Sequence, residues 1–154
     1  VLDASLCGVP QKRKRFICFG MQGAEDGFAD NIIKANIAKK PLTLRDYFGN
    51  KLGFEYYYRH PRNYSRRAVF SIDEPAPTVR GVSRPIPSGY HGHPNDACPI
   101  EQVSHSLTTN ERALIQTFPD DVIFEGTRQN QCIQVGNAVP VKLAYELAMH
   151  IKSL

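Results

Sequence analysis

The sequence has no tryptophan, only two methionines and four cysteines in 154 residues. The cysteines, Cys7, Cys18, Cys98 and Cys132, show no Cys-x-x-Cys spacing and fit a reduced, cytosolic interior. His91, His93 and Cys98 lie close together, but no second ligand pair accompanies them, so no zinc centre is expected. There is no apolar run long enough to cross a bilayer, which excludes a helical membrane anchor within this stretch. The opening Val1-Leu2-Asp3-Ala4 lacks the basic flank and apolar region of a signal peptide. It also lacks a starting methionine, and the chain is expected to be cut from a longer one. Lysine is missing from one telling window. Six of the eleven arginines, Arg59, Arg62, Arg66, Arg67, Arg80 and Arg84, fall within 26 residues that contain no lysine. Such clustering favours a nucleic-acid surface over general solubility, although the net charge of +4 is modest.

What is present suits one hydrophobic core and not two full domains. Near the start, Gly8-Val9-Pro10-Gln11-Lys12-Arg13-Lys14-Arg15 puts four cations after a turn and before the apolar run Phe16-Ile17-Cys18-Phe19-Gly20. The run reads as a short buried strand. Alternation sets Arg13 and Arg15 on one side and Lys12 and Lys14 on the other. Two adjacent guanidiniums suit a phosphate or a base edge, because each is a planar fork of donors that keeps its charge. A solvated or nuclear-localisation-like basic run is the alternative.

Further along, Phe28, Ile32, Ile33 and Ile37 recur at helical spacing, and Pro41 ends that helix. Thr43 caps a short helix through Asp46 that closes near Gly49. Phe54 to Tyr58 is strand-like. Residues 59 to 99 are rich in proline, glycine and arginine; short strands are expected at Ala68 to Ile72 and Thr78 to Val82, with irregular backbone elsewhere. Thr108-x-x-Glu111 forms a capping box for a helix to about Thr117. A last helix starts at Pro140 and carries a stripe of Leu143, Ala144, Leu147, Ala148 and Ile151. Gly136-Asn137 reads as a turn that lets backbone approach a ligand.

Three stretches, in this order, resemble signature motifs of the cytosine-5 DNA methyltransferases of restriction-modification type. Gly8-Val9-Pro10-Gln11-x-Arg13-x-Arg15 resembles the eighth, Glu111 to Asp121 the ninth, and Gly136-Asn137-Ala138-Val139-Pro140 the tenth. The resemblance implies a mixed α/β fold: the C-terminal part of a Rossmann-like methyltransferase with a small, irregular α+β target-recognition domain. Residues 1–24 would close the catalytic domain, 25–40 would form a linking helix, 41–131 the recognition domain with the ninth-motif helix, and 132–154 a return segment packing on the catalytic domain. It implies that Arg15 contacts the O2 of a flipped cytosine, that Arg13 contributes to the same pocket, and that Gln11 borders the displaced nucleotide. It also implies that Asn137 and the Ala138 backbone edge the S-adenosylmethionine site. Glu111, Arg112 and Gln116 would be framework. Base and phosphate contacts would fall to Arg62, Arg66, Arg67, Arg80 and Arg84, since bidentate arginine on guanine is the commonest specific contact.

The family's Phe-x-Gly-x-Gly, Pro-Cys-Gln and Glu-Asn-Val stretches do not occur in the sequence. The nucleophile is therefore expected on an N-terminal portion or a partner subunit, and this chain alone is expected to be inactive. Other expected partners are double-stranded DNA and a second copy of the chain, in a bacterial cytoplasm at the nucleoid. A stand-alone sequence-specific DNA-binding module is the other reading.

Overall fold

The computed structural model describes residues 1–30, 34, 37–63, 65–103 and 106–152. Within them six short strands make three two-stranded sheets. β1 (Leu2–Asp3) pairs antiparallel with β3 (Lys14–Arg15). β2 (Gln11–Lys12) pairs in parallel with β6 (Ala76–Pro77), which ties the basic stretch to the middle of the chain. β4 (Tyr56–Tyr58) pairs antiparallel with β5 (Val69–Ser71), in the register Tyr57 opposite Phe70. Four α-helices are bounded within the described residues, α1 (Leu44–Phe48), α2 (Thr109–Ile115), α3 (Arg128–Asn137) and α4 (Val141–Lys152), besides short 3-10 turns at Ala4–Leu6 and Ile100–Gln102. This is the mixed α/β architecture expected. No described helix is long and apolar enough to cross a membrane.

The helix starts follow local chemistry. Thr43 and Asp46 form a reciprocal capping box for α1, and Thr108 and Glu111 form another for α2, as the sequence predicts. Gly49, at φ 57°, closes α1. Thr117 carries a positive φ of 60°, and its hydroxyl accepts the amide of Lys142 at 2.9 Å, which caps the entry to α4.

The main core gathers Leu44, Tyr57, Phe70, Ile72, Val79, Ile115 and Val135. A second cluster joins Tyr58, Ala68, Val69, Tyr90 and Cys98 beneath the irregular segment. A third, smaller cluster packs Leu143 of α4 on Ala4 and Val9. The boundary expected at 131/132 falls inside α3, whose Val135 belongs to the main core.

Four expectations are corrected. Phe16 to Gly20 is not a strand, and Phe16 is 76% exposed. A buried strand needs ladder neighbours for its amides and carbonyls, and the neighbour available here, β1, is already used at Lys14–Arg15. Thr78 to Val82 is not a strand either; pairing ends with Pro77, which cannot donate onward, and Val79 is bonded by side chains instead. Gly136-Asn137 is the end of α3 and not a free turn. Leu143, on the helix stripe of the return segment expected to pack on a catalytic domain largely outside this chain, is fully buried in the third cluster. The helix expected from Phe28 to Ile37 falls largely on residues outside those described; Asp30 and Lys34 form an ion pair at 3.0 Å.

Candidate nucleic-acid interface

The β4–β5 hairpin and the backbone that follows it shape a cleft of about 710 Å³. Arg59, Arg62, Arg66, Arg67 and Arg80 line it, with Phe70, Thr78, His93 and Asn95. The cleft is built by side-chain knots, because this segment has few ladder bonds of its own. Asp96 is the main one. Its Oδ1 accepts the amides of Ala68 at 2.8 Å and Val69 at 2.9 Å, and its Oδ2 accepts the Tyr90 hydroxyl at 2.6 Å and the His93 amide at 2.8 Å. Burial alone would raise the Asp96 pKa, but the bonds from Tyr90, Val69, Ala68 and His93 prevail and lower it.

The arginines divide by what they already hold. Arg59 donates to Thr78 O at 2.7 Å, and burial, then the neighbouring Arg80, Arg112 and Arg62, lowers its pKa to about 10. Arg67 pairs with Glu74 and lies over the Phe70 ring, 4.3 Å from its centroid. Arg80 donates to His60 O, and Arg112 donates to Arg80 O. Among the described residues, the side chains of Arg62, Arg66 and Arg84 have no hydrogen-bond partner and are exposed. Arg84 lies outside the main cleft, beside a small cavity that Arg59, Arg80 and Arg112 also line. The candidate cations thus comprise a fixed set, Arg59, Arg67 and Arg80, and a free set, Arg62, Arg66 and Arg84. Arg59, one of the six clustered arginines, lines the cleft although it is not among the five residues expected to contact DNA. His93 and Asn95 also line it, and nothing local in the sequence marks them for this site.

The basic stretch has the expected alternation, with Gln11 and Arg13 buried and Lys12 and Lys14 exposed. The targets of the buried pair are intramolecular. Gln11, at 0% exposure, accepts the Val79 amide at 2.8 Å and donates to Gln116 Oε1 at 3.0 Å. Gln116 passes the chain on by donating to Val135 O. Arg13, at 2% exposure, donates through Nη1 to Val79 O and through Nη2 to Gly136 O and Ala138 O, each at 3.0 Å. Burial, then the charge of Arg15, lowers its pKa to about 10, so it stays a cation at neutral pH. The structure therefore places Gln11 and Arg13 in a buried network, whereas Arg15 is partly exposed and bonds Lys14 O at 2.7 Å. Gln116 and Arg112 serve as framework, and Glu111 completes the α2 cap.

Around the last expected site, Asn137 is exposed and its side chain has no hydrogen-bond partner among the described residues. The Ala138 amide bonds Gln134 O at 3.2 Å and its carbonyl accepts Arg13, so its backbone groups are already engaged. Gly136 is needed for a different close approach than the one expected: a Cβ built there would fall on the Arg80–Gly81 backbone. No group of three or more metal-ligating side chains occurs among the described residues.

Comparison with known proteins bears on the whole stretch. The chain is 53% identical over 153 residues to the Type II methyltransferase M.HgiDI of Herpetosiphon aurantiacus, covering 99% of this chain and 49% of that protein. It is 51% identical over 152 residues to the Type II methyltransferase M.HindV of Haemophilus influenzae, covering 98% and 50%. It is 32% identical to the Type II methyltransferase M.MthTI of Methanothermobacter thermautotrophicus, covering 99% and 54%. The chain thus spans about half the length of the curated relatives it matches. No solved structure matches it. The family model of the C-5 cytosine-specific DNA methylases matches residues 1–153, and the chain belongs to that family.

Proposed function

We propose that this chain is the C-terminal portion of a DNA (cytosine-5-)-methyltransferase. It would read a DNA sequence through the arginine-lined cleft and help hold the flipped cytosine while S-adenosylmethionine supplies the methyl group. The observation that carries this is the cleft itself: five arginines around Phe70 on a chain that belongs to a DNA methylase family. Chemistry at C5 needs the base out of the stack, so the protein must hold a displaced nucleotide as well as a duplex. Arg15 suits the cytosine O2, because it ends β3 two residues beyond the buried Arg13 yet keeps donors free for a ligand. Arg62, Arg66 and Arg84 suit bases and phosphates, because they surrender no existing partner among the described residues. Arg67 and Arg80 would first have to leave, or share, the groups they hold. Asn137 suits the rim of the cofactor site, since its amide is free of partners among the described residues; Ala138 would contribute only its surface.

In this reading the nucleophilic cysteine and its carboxylate belong to another portion of the enzyme, and the chain alone is inactive. The test supplies labelled S-adenosylmethionine and mixed-sequence DNA to the chain, with and without an N-terminal portion carrying a Pro-Cys-Gln stretch. Methyl transfer only with both portions supports the proposal. Transfer by the chain alone contradicts it, and specific DNA binding with no transfer in any combination makes the chain a stand-alone binding module.

A further inference from the structure

The Gln11–Arg13 network joins two segments that carry different proposed ligands. Val79 lies between Thr78 and Arg80 on the wall of the arginine cleft. Both of its backbone polar groups are held by the basic stretch, the amide by Gln11 and the carbonyl by Arg13. On the other side the same two residues reach the end of α3. Its last turn leaves carbonyls without helical partners. Arg13 satisfies Gly136 and Ala138, and Gln11 reaches Val135 through Gln116. A buried cation at a helix C-terminus also opposes the negative end of the helix dipole. One guanidinium fork thus spans the cleft wall and the loop that starts beside Asn137, with three bonds of 3.0 Å. A lysine ammonium carries all its donors on one nitrogen, whereas the planar fork directs one nitrogen to Val79 O and the other to Gly136 O and Ala138 O.

We infer that Arg13, supported by Gln11, is a positioning residue that couples the DNA cleft to the cofactor-edge loop, so that occupation of one site stiffens the other. The coupling to ligands rests on the functional reading above; the clamp does not, and two measurements separate them. The first is hydrogen exchange on the chain as it stands. Arg13→Met and Arg13→Lys are expected to speed exchange at residues 79–81 and 136–138 together, with the core amides of β4 and β5 unchanged. Faster exchange at only one of the two segments, or at neither, overturns the clamp. The second uses the complete enzyme and compares the DNA Kd with and without S-adenosylhomocysteine. Coupled sites predict a ratio of about fivefold or more in the wild type, falling close to one in Arg13→Lys, with no matching loss of thermal stability. A wild-type ratio of one, or a ratio that survives both substitutions, overturns the coupling. A wild type that neither binds DNA nor transfers methyl counts against the functional reading, while the exchange result still decides the clamp.

Discussion

Arg15 and Arg13 are two residues apart, and their surroundings give them opposite work. Arg13 is enclosed by backbone carbonyls; Arg15 keeps most of its fork toward solvent. In the complete enzyme, Arg15→Ala is expected to slow methyl transfer on the order of a hundredfold while changing DNA affinity far less, because a base-directed guanidinium acts mainly on the charge that develops during reaction. Equal losses in both would make Arg15 a phosphate contact. Asp96 gives a second test. Its carboxylate accepts four bonds, two of them from the amides of Ala68 and Val69 at the start of β5. Asp96→Ala is expected to cost about 3 kcal/mol in urea denaturation, given 1.5–3 kcal/mol for a bond to a charged group and incomplete additivity. Its pKa is lowered in the fold, so its contribution is fully present above the ordinary carboxylate value of about 3.9 and is lost as pH falls through the lower folded value. Asp96→Asn should flatten the stability profile in that acid window by lowering stability above it, because a single amide oxygen cannot replace both carboxylate oxygens as acceptors. At this scale the sequence was legible in part. Alternation put Arg13 and Arg15 on the side opposite Lys12 and Lys14, but no local pattern could reveal that the partners of Gln11 and Arg13 were Val79, Gln116, Gly136 and Ala138. Those distant carbonyls and amides come near only after folding.

Among the elements, those that carry their own punctuation could be read in advance. Thr43 with Asp46 and Thr108 with Glu111 marked α1 and α2, because capping is local chemistry. α3 escaped notice because its first turn is polar, Arg128-Gln129-Asn130-Gln131, and its apolar contribution to the main core reduces to Val135. The run from Phe16 misled for the converse reason: it has a strand's composition without a neighbour to pair with. α3 also supports a prediction whose sign runs against helix propensity. Alanine is better than glycine in a helix by about 1 kcal/mol. Gly136→Ala should nevertheless destabilise, by about 2–3 kcal/mol, because the new methyl meets the Arg80–Gly81 backbone and not a side chain that could swing away. Denaturant midpoints of the wild type and Gly136→Ala decide it; a more stable variant would mean that the two segments separate without cost.

For the molecule as a whole, charge and apolar surface fall in different places. Arg62 and Arg66, two of the three free arginines, line the cleft, so Arg62→Ala or Arg66→Ala should lower the slope of log affinity against log salt by about one and weaken all DNA sequences alike if these are phosphate contacts. Loss confined to one base position would make the residue a reader. The apolar excess lies elsewhere. Phe16, Val139, Tyr145, Met149 and Ile151 are all exposed, and Leu143 is the only buried residue of α4 among those described. Burying a large apolar side chain is worth roughly 1.5–3 kcal/mol, so the isolated chain is expected to self-associate through α4, where the exposed Tyr145 and Met149 are four residues apart on one side, most simply as a two-fold dimer. Light scattering at micromolar concentration should show the dimer, and Met149→Glu should return it to monomer; a monomer throughout would show that this surface is tolerated in water.

The knots of the cleft have a consequence for how such a chain could change over generations. Asp96 reaches back to Ala68 and Val69, and Arg59 reaches across to Thr78. Each tie joins points far apart in sequence, and the stretch 82–85 within the span from Val69 to Asp96 belongs to no strand and to neither core. Insertions or replacements there would leave the anchor points and both cores in place. A scaffold of this kind lets new target preferences arise by altering the contents of the loops, at little risk to folding.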